Sequence, residues 1–258
     1  MRLIFLQTAS RTTRLAALAV CGVVLAGCQG VTGLQPTAQV RVIDASPDAP
    51  ALDIAQTSPA TSVPNGLYNI GFGTISSYIP MAAGAYTHSA YVAGTQQQLA
   101  LTHGTFRAGG QYTLLTGNIV ASLQMAVLKD QSTPAPAGET ALRFLGQATR
   151  SGAVDLYLLP AGSSLNRASP IATGVNFGTN TGYINAPAGT YSIVAYPAGI
   201  APGSSSPRFT GSQAAYAGTS VHTLVLLDQR DEDPQSDEPV NPRSLQVITA
   251  SDYDPSAS

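Results

Sequence analysis

Carboxylates are the groups in this sequence whose spacing could do chemistry. Asp44, Asp48 and Asp53 fall within ten residues, the middle one inside the turn-forming run Ser46-Pro47-Asp48-Ala49-Pro50. Clustered carboxylates can ligate a hard cation such as calcium, or pair across loops as acid and base at a glycosidic bond. Ser and Asp beside proline are also ordinary turn chemistry, and Asp53 has a counterpart in Asp155, where a strand carboxylate capping a turn is the simpler account. Further on, Asp228 to Glu238 carries six carboxylates against one arginine, with Asp231, Glu232 and Asp233 consecutive. This run reads as a cation site or an acidic face for a basic partner, or else as a solvated hairpin tip kept extended by its own repulsion. No Asp-x-Asp-x-Asp-Gly loop with a distal Glu organises either group. Asp44, Asp48, Asp231, Glu232 and Asp233 are carried forward as binding candidates, with no metal ligand assigned.

The remaining reactive groups do not assemble into a catalytic pattern. His88, His103 and His222 lie at no spacing used for zinc, and neither a Gly-x-Ser-x-Gly elbow nor a Ser-x-x-Lys pair occurs. The one lysine, Lys129, lies in no phosphate-binding loop. No catalytic residue and no cofactor follow from the sequence. It reads as a non-catalytic protein, the alternative being a periplasmic hydrolase or calcium-dependent carbohydrate-binding protein that uses the loop carboxylates.

At the amino end, Arg2, Arg11 and Arg14 precede an apolar run from Leu15 to Leu25. The run is too short to span a bilayer as a helix, which takes about 20 apolar residues, and residues 1–27 read as a cleaved export signal. The string Leu25-Ala26-Gly27-Cys28 resembles the lipobox of bacterial lipoproteins. That resemblance implies cleavage before Cys28, acylation of its thiol, and membrane lipid as a partner through the anchor. Two or three acyl chains would hold durably, at about 0.8 kcal/mol per buried methylene. Gln29, where an Asp would signal inner-membrane retention, implies the outer membrane; the expected location is the bacterial cell envelope, on its periplasmic or surface face. Without the signal, nine basic residues face fourteen acidic ones, a formal charge of −5 that argues against nucleic acid as a partner. Cys21 leaves with the signal, so the mature chain can form no intramolecular disulfide.

The elements that must position any site are written twice. Gly71 to Tyr91 and Asn176 to Tyr196 share 10 of 21 positions at a constant offset of 105, the mark of a tandem duplication. Large residues between small ones and turn formers, with Ala83-Gly84 and Ala188-Gly189 at hairpins, predict short strands. The repeated Tyr78, Tyr86 and Tyr91 could form a stacking platform for a ligand; the plainer expectation is that they pack each core and hydrogen-bond a corner. The run Val40-Arg41-Val42-Ile43-Asp44-Ala45-Ser46-Pro47-Asp48-Ala49-Pro50-Ala51-Leu52-Asp53-Ile54, followed by a Phe-Gly strand and an Ala-Gly-Ala-Tyr hairpin, resembles a bacterial family of exported proteins, the domain of unknown function 4397. The resemblance extends over nearly all the mature chain, once per repeat, with Gln147 to Gly152 replacing the proline turn in the second copy. It implies an immunoglobulin-like fold and no activity.

The expected architecture is therefore all-β, two tandem immunoglobulin-like β-sandwiches: tether 28–37, repeat 38–130, linker 131–139, repeat 140–250 and a frayed tail 251–258. The proline-rich linker predicts two domains set like beads with limited swing. Leu159 to Thr173 and Pro197 to Pro207 read as surface loops too poor in apolar residues to join a core. The function expected of this arrangement is that of an envelope-anchored binding or structural module with a protein or glycan partner. Intact-mass spectrometry of the membrane fraction should find a chain that starts at Cys28 and carries acyl chains; an unmodified amino terminus would remove the anchor.

Overall fold

Alternation in the run Val40-Arg41-Val42-Ile43 sends Val40 and Val42 to one face of a strand and Arg41 and Ile43 to the other, yet all four are buried. A strand buried on both faces has to lie between two packed layers, and that placement organises the protein. A computed structural model of the protein describes residues 36–59, 61–165, 168–229 and 244–253. Its strands are β1 (Thr37–Asp44), β2 (Leu52–Ser58), β3 (Thr61–Ile70), β4 (Ile79–Ala82), β5 (Gly84–Val92), β6 (Gln98–Phe106), β7 (Gln111–Gly117), β8 (Gln124–Asp130), β9 (Glu139–Gly146), β10 (Val154–Pro160), β11 (Ala172–Val175), β12 (Asn180–Pro187), β13 (Gly189–Pro197), β14 (Phe209–Thr210), β15 (Ala214–Tyr216), β16 (Val221–Asp228) and β17 (Leu245–Tyr253).

The fold is all-β, two tandem immunoglobulin-like sandwiches. The first pairs a β4-β1-β7-β8 sheet with a β3-β2-β5-β6 sheet; the second pairs β12-β9-β16-β17 with β11-β10-β13-β14, where β15 also joins β13. The strand orders correspond, down to a parallel pair at the centre of one sheet in each half, β1 with β7 and β9 with β16. One core holds Val40, Val42, Leu52, Ile54, Phe106 and Leu114; its counterpart holds Leu142, Phe144, Leu156, Ala195, Leu224 and Leu226.

The other face of each central pair forms a third core. Ile43, Ala45 and Leu115 from the first half pack with Leu145, Val225, Leu227 and Ala250 from the second. The beads expected from the linker composition are thus corrected: the described residues from Pro36 onward belong to one compact unit. The linker is docked too, with Ala135 buried against Ala141 and Val221 and its amide bonded to the Thr219 carbonyl at 3.0 Å. Burying the outward row of four central strands outweighs the freedom a nine-residue linker would allow. The expected fraying from Ser251 is likewise corrected, since β17 runs to Tyr253 and Asp252 is buried.

The repeated Phe-Gly-Thr string closes the same joint in both halves. Gly73 donates to the Asp44 carbonyl at 2.8 Å while the Asp44 amide donates to Thr74 at 3.1 Å; Gly178, Gly146 and Thr179 repeat the pattern at 2.9 Å each. At Gly146 a Cβ would collide with the Asn176 carbonyl. Leu145→Ala should lower stability by about 2–5 kcal/mol. Because Leu145 belongs to the shared layer, calorimetry should show one transition shifting as a whole rather than the melting of one half alone.

Candidate functional site

Among the described residues, buried ionisable side chains gather in the shared layer, where sequence reasoning assigned nothing. Arg41 and Arg143 occupy matching positions of β1 and β9, opposite Thr113 and Thr223 in the parallel partner strands. Each arginine reaches across to the other sandwich. Arg41 pairs with Asp252 through a short contact and donates to the Ser251 carbonyl at 3.1 Å; Arg143 pairs with Asp130 at 2.6 Å and donates to the Lys129 carbonyl at 3.2 Å. Each carboxylate is then completed from its own side. Asp130 accepts from Tyr78 at 2.7 Å and Thr113 at 2.6 Å, and Asp252 accepts from Tyr183 at 2.7 Å and Thr223 at 2.6 Å. Each guanidinium lies 4.7 Å from the centre of its own tyrosine ring.

This constellation has the membership of an active site without the access. Both arginines are 2% exposed, and both aspartate side chains are fully buried. Burial first, then the neighbouring aspartate, pushes both tyrosine hydroxyls far above their ordinary pKa, so they remain donors. Burial disfavours the Arg41 charge, but Asp252 and Asp130 more than reverse that. The arrangement is a fixed, electroneutral clamp. Tyr78 and Tyr183, expected in the cores of their own halves, belong to it instead, while Tyr86 and Tyr191 do bond a corner as expected, each to a carbonyl four residues back at 3.0 Å.

The carboxylates singled out by sequence are dispersed. Asp44 is buried and accepts from the Ser46 amide at 3.0 Å and the Thr116 hydroxyl at 2.8 Å. Asp48 is exposed and accepts from the Val120 amide at 2.7 Å, at the start of a short 3-10 turn. Asp53 and Asp155 cap turns in the same way: Asp53 takes the amides of Asn69 at 2.9 Å and Gly94 at 2.8 Å, Asp155 those of Gly174 and Gly199 at 2.8 Å. Asp228, at the head of the acidic run, is buried and holds the Gln147–Gly152 turn through Thr149 and Arg150. Asp231, Glu232, Asp233 and Cys28 lie outside the described residues. Among the described residues no group of three His, Cys, Asp or Glu is placed to hold a metal ion.

A polar pair also sits inside the first core. Gln56 and His88 face each other across β2 and β5, fully buried, and their side-chain nitrogen and oxygen atoms have no hydrogen-bond partner. The second half has Leu158 opposite Ile193 at this register. Burial, with His103 as a lesser cause, holds the His88 pKa down to about 4.

The accessible feature that distinguishes the halves is the outer face of the second sheet in each. In the second sandwich the register pairs Tyr157 with Val194 and Asp155 with Tyr196. Leu165 and Ala168, from the loop after β10, pack onto Tyr157, Val194 and Tyr196, so that loop contributes to a core, contrary to its expected role. The first sandwich has Ala55 opposite Ser89 and Asp53 opposite Tyr91 at the same register; Ser89 is buried, and Tyr68 on the neighbouring strand is exposed. A depression of about 300 Å³ lies there, lined by Asp53, Ala55, Thr57, Tyr68, Tyr91, Thr95 and Gln96. Another of about 290 Å³ is lined on β5 and β6 by Ala85, Thr87, His103, Gly104 and Thr105. Thr57 and Thr87 are register partners between them. Sequence reasoning missed this face because Ala55 and Ser89 are unremarkable until aligned with Tyr157 and Val194.

Residues 38–157 match the family described as "Domain of unknown function (DUF4397)". The match covers the first sandwich and continues through β9 into β10. No curated protein matches the chain. Among solved structures, a candidate cell adhesion protein from Bacteroides eggerthii is 11% identical, with 85% of this chain and 96% of that chain covered and a TM-score of 0.23. A family 26 carbohydrate-binding module of Eubacterium rectale Amy13K, in complex with maltoheptaose, is 11% identical over 82% of this chain and 96% of that chain, with a TM-score of 0.22. A leucine-rich repeat protein from Bacteroides thetaiotaomicron is 14% identical over 73% of this chain, which spans only 25% of that chain's length, with a TM-score of 0.21. At these TM-scores the likenesses carry no functional argument.

Two outcomes follow for the buried groups. Asp252→Ala removes the hydrogen-bonded carboxylate of Arg41, leaving it only Asp130 at 3.8 Å, which Arg143 already uses, and should destabilise the protein by about 3–5 kcal/mol, measured by urea unfolding. For His88, the unfolded state binds the proton more readily between pH 6.5 and about 4. A penalty of roughly 3 kcal/mol is therefore absent above pH 6.5 and builds up as pH falls through that window. The pair Gln56→Leu and His88→Ile should raise stability and flatten this part of the pH profile.

Proposed function

We propose that this protein is a lipid-anchored component of the bacterial cell envelope that binds rather than catalyses, and that it presents the open face of the β3-β2-β5-β6 sheet to a protein or glycan partner. The reading rests on one observation: among the described residues, a loop packs onto this face in the second half, while in the first half the face carries two depressions and the exposed Tyr68. The second half, with Tyr157, Val194 and Leu165, serves as an internal control for what a purely structural version of the face looks like. Binding residues carried on a rigid scaffold suit recognition, and the clamp between the sandwiches supplies rigidity. The anchor at Cys28 and the outer-membrane location follow from the Leu-Ala-Gly-Cys string and Gln29. The proposal extends the family's domain to the second sandwich, on the strength of the matching strand orders.

The hydrolase alternative has less behind it. Asp44 is buried, and Asp48 is engaged with a backbone amide. In the test, the full chain carries a photo-crosslinking amino acid in place of Tyr68 or, as a control, of Ile200 on a loop of the second half. Irradiation of intact cells should trap an envelope partner from position 68 and not from position 200, and Cys28→Ala should move the protein from the membrane to the soluble fraction. Equal trapping at both positions, or turnover of glycoside substrates by purified protein, would refute the reading.

A further inference from the structure

The open face carries chemistry specific enough to name its ligand class, and the inference rests on the binding role proposed above. We propose that the trough across β3, β2, β5 and β6 binds a neutral oligosaccharide, with a sugar ring stacked on Tyr68 and its hydroxyls bonded along the threonines that follow.

Tyr68 is the key group. It is 71% exposed, the highest value among the exposed large hydrophobic residues. A Cβ on Gly66 would come within 2.9 Å of the Tyr68 hydroxyl and 3.0 Å of its ring. The hydroxyl end of the ring therefore lies over the bare backbone of Gly66, while most of the side chain is open to solvent. A flat aromatic held this way offers the C–H face of a pyranose a stacking surface, and little side-chain entropy is lost when it binds. Beside it the small Ala55 lines the depression, where the second half has the ring of Tyr157 at the same register.

Polar lining sets the ligand's charge and shape. Thr57 and Thr95 line the first depression, Thr87 and Thr105 the second, and Thr87 lies 3.1 Å from His103 Nδ1. Hydroxyls both donate and accept, as sugar hydroxyls do. No Lys or Arg is among the lining residues, so nothing there favours a uronate, sulfate or phosphate. The one carboxylate, Asp53, has both oxygens engaged by backbone amides. A protein ligand would look for buried apolar anchors, and on β5 and β6 Leu101 is the only large apolar side chain exposed. Two depressions, one lined by Thr57 and the other by its register partner Thr87, suit a chain of sugars more than a single residue.

The test is affinity electrophoresis of the full mature chain through gels containing glycogen, dextran, laminarin or galactomannan, with alginate as the anionic comparison. At least one neutral polymer should retard the protein and alginate should not. Tyr68→Ala should weaken that retardation about tenfold. Ala55→Tyr combined with Ser89→Val, which copies the second half, should abolish it, and Ile200→Ala should leave it unchanged, all with wild-type melting temperatures. Retardation by alginate alone, by no polymer, or equally in the Tyr68→Ala protein would overturn the inference. Site-specific trapping at position 68 separates the two failures: an envelope protein captured there with no polysaccharide bound ends the sugar proposal and leaves the binding role standing, while capture of nothing ends both.

Discussion

Two arginines and two aspartates, exchanged between the halves, fix how the sandwiches sit. Each guanidinium belongs to one sandwich and its carboxylate to the other, and all four are out of water. Burying a single charge is costly, and a lone ion pair often gains no more than it loses. Here every carboxylate oxygen is engaged and every arginine also bonds a threonine hydroxyl, at 2.9 Å for Arg41 and 3.0 Å for Arg143. The pairing is satisfied only when both strand ends, Asp130 and Asp252, meet the opposite arginine. The contact therefore specifies one register between the halves, while the aliphatic layer of Ile43, Leu115, Leu145 and Val225 supplies most of the attraction.

This arrangement resembles a dimer interface made within one chain. Corresponding residues sit on both sides: Arg41 and Arg143, Tyr78 and Tyr183, Thr113 and Thr223, Asp130 and Asp252. That is the self-complementary pattern of a two-fold contact, in which residue i meets j and j meets i. Duplication followed by such packing frees one half to diverge. Where the second sandwich has Leu158 and Ile193 in its core and Tyr157 and Val194 on its face, the first has Gln56 and His88, and Ala55 and Ser89. The first exchange weakens packing and the second uncovers a surface. Both fall on the outer pair of strands, away from the clamp.

Some of this was readable in advance. Alternation and turn residues gave the strands, and the offset of 105 gave the duplication. The tyrosine corners and the Asp53 and Asp155 caps followed from local chemistry, because their partners lie on neighbouring strands of the same sheet. The clamp was visible only as a hint: Arg41 and Arg143 are the charged residues inside otherwise apolar strands, and both recur, as do Asp130 and Asp252. The hint went unread because an arginine in an alternating strand ordinarily marks the solvent side.

By itself, then, the sequence determined the period of each strand, the positions of the turns and the existence of two copies, since these depend on residues close along the chain or on its comparison with itself. Tertiary structure alone decided that the two outward faces of the central strands meet. A strand pattern shows which side chains share a face and not whether water or another sheet lies beyond it. The same limit hid the trough, where what Ala55 and Tyr68 present depends on whether a loop from elsewhere in the chain comes to lie on top.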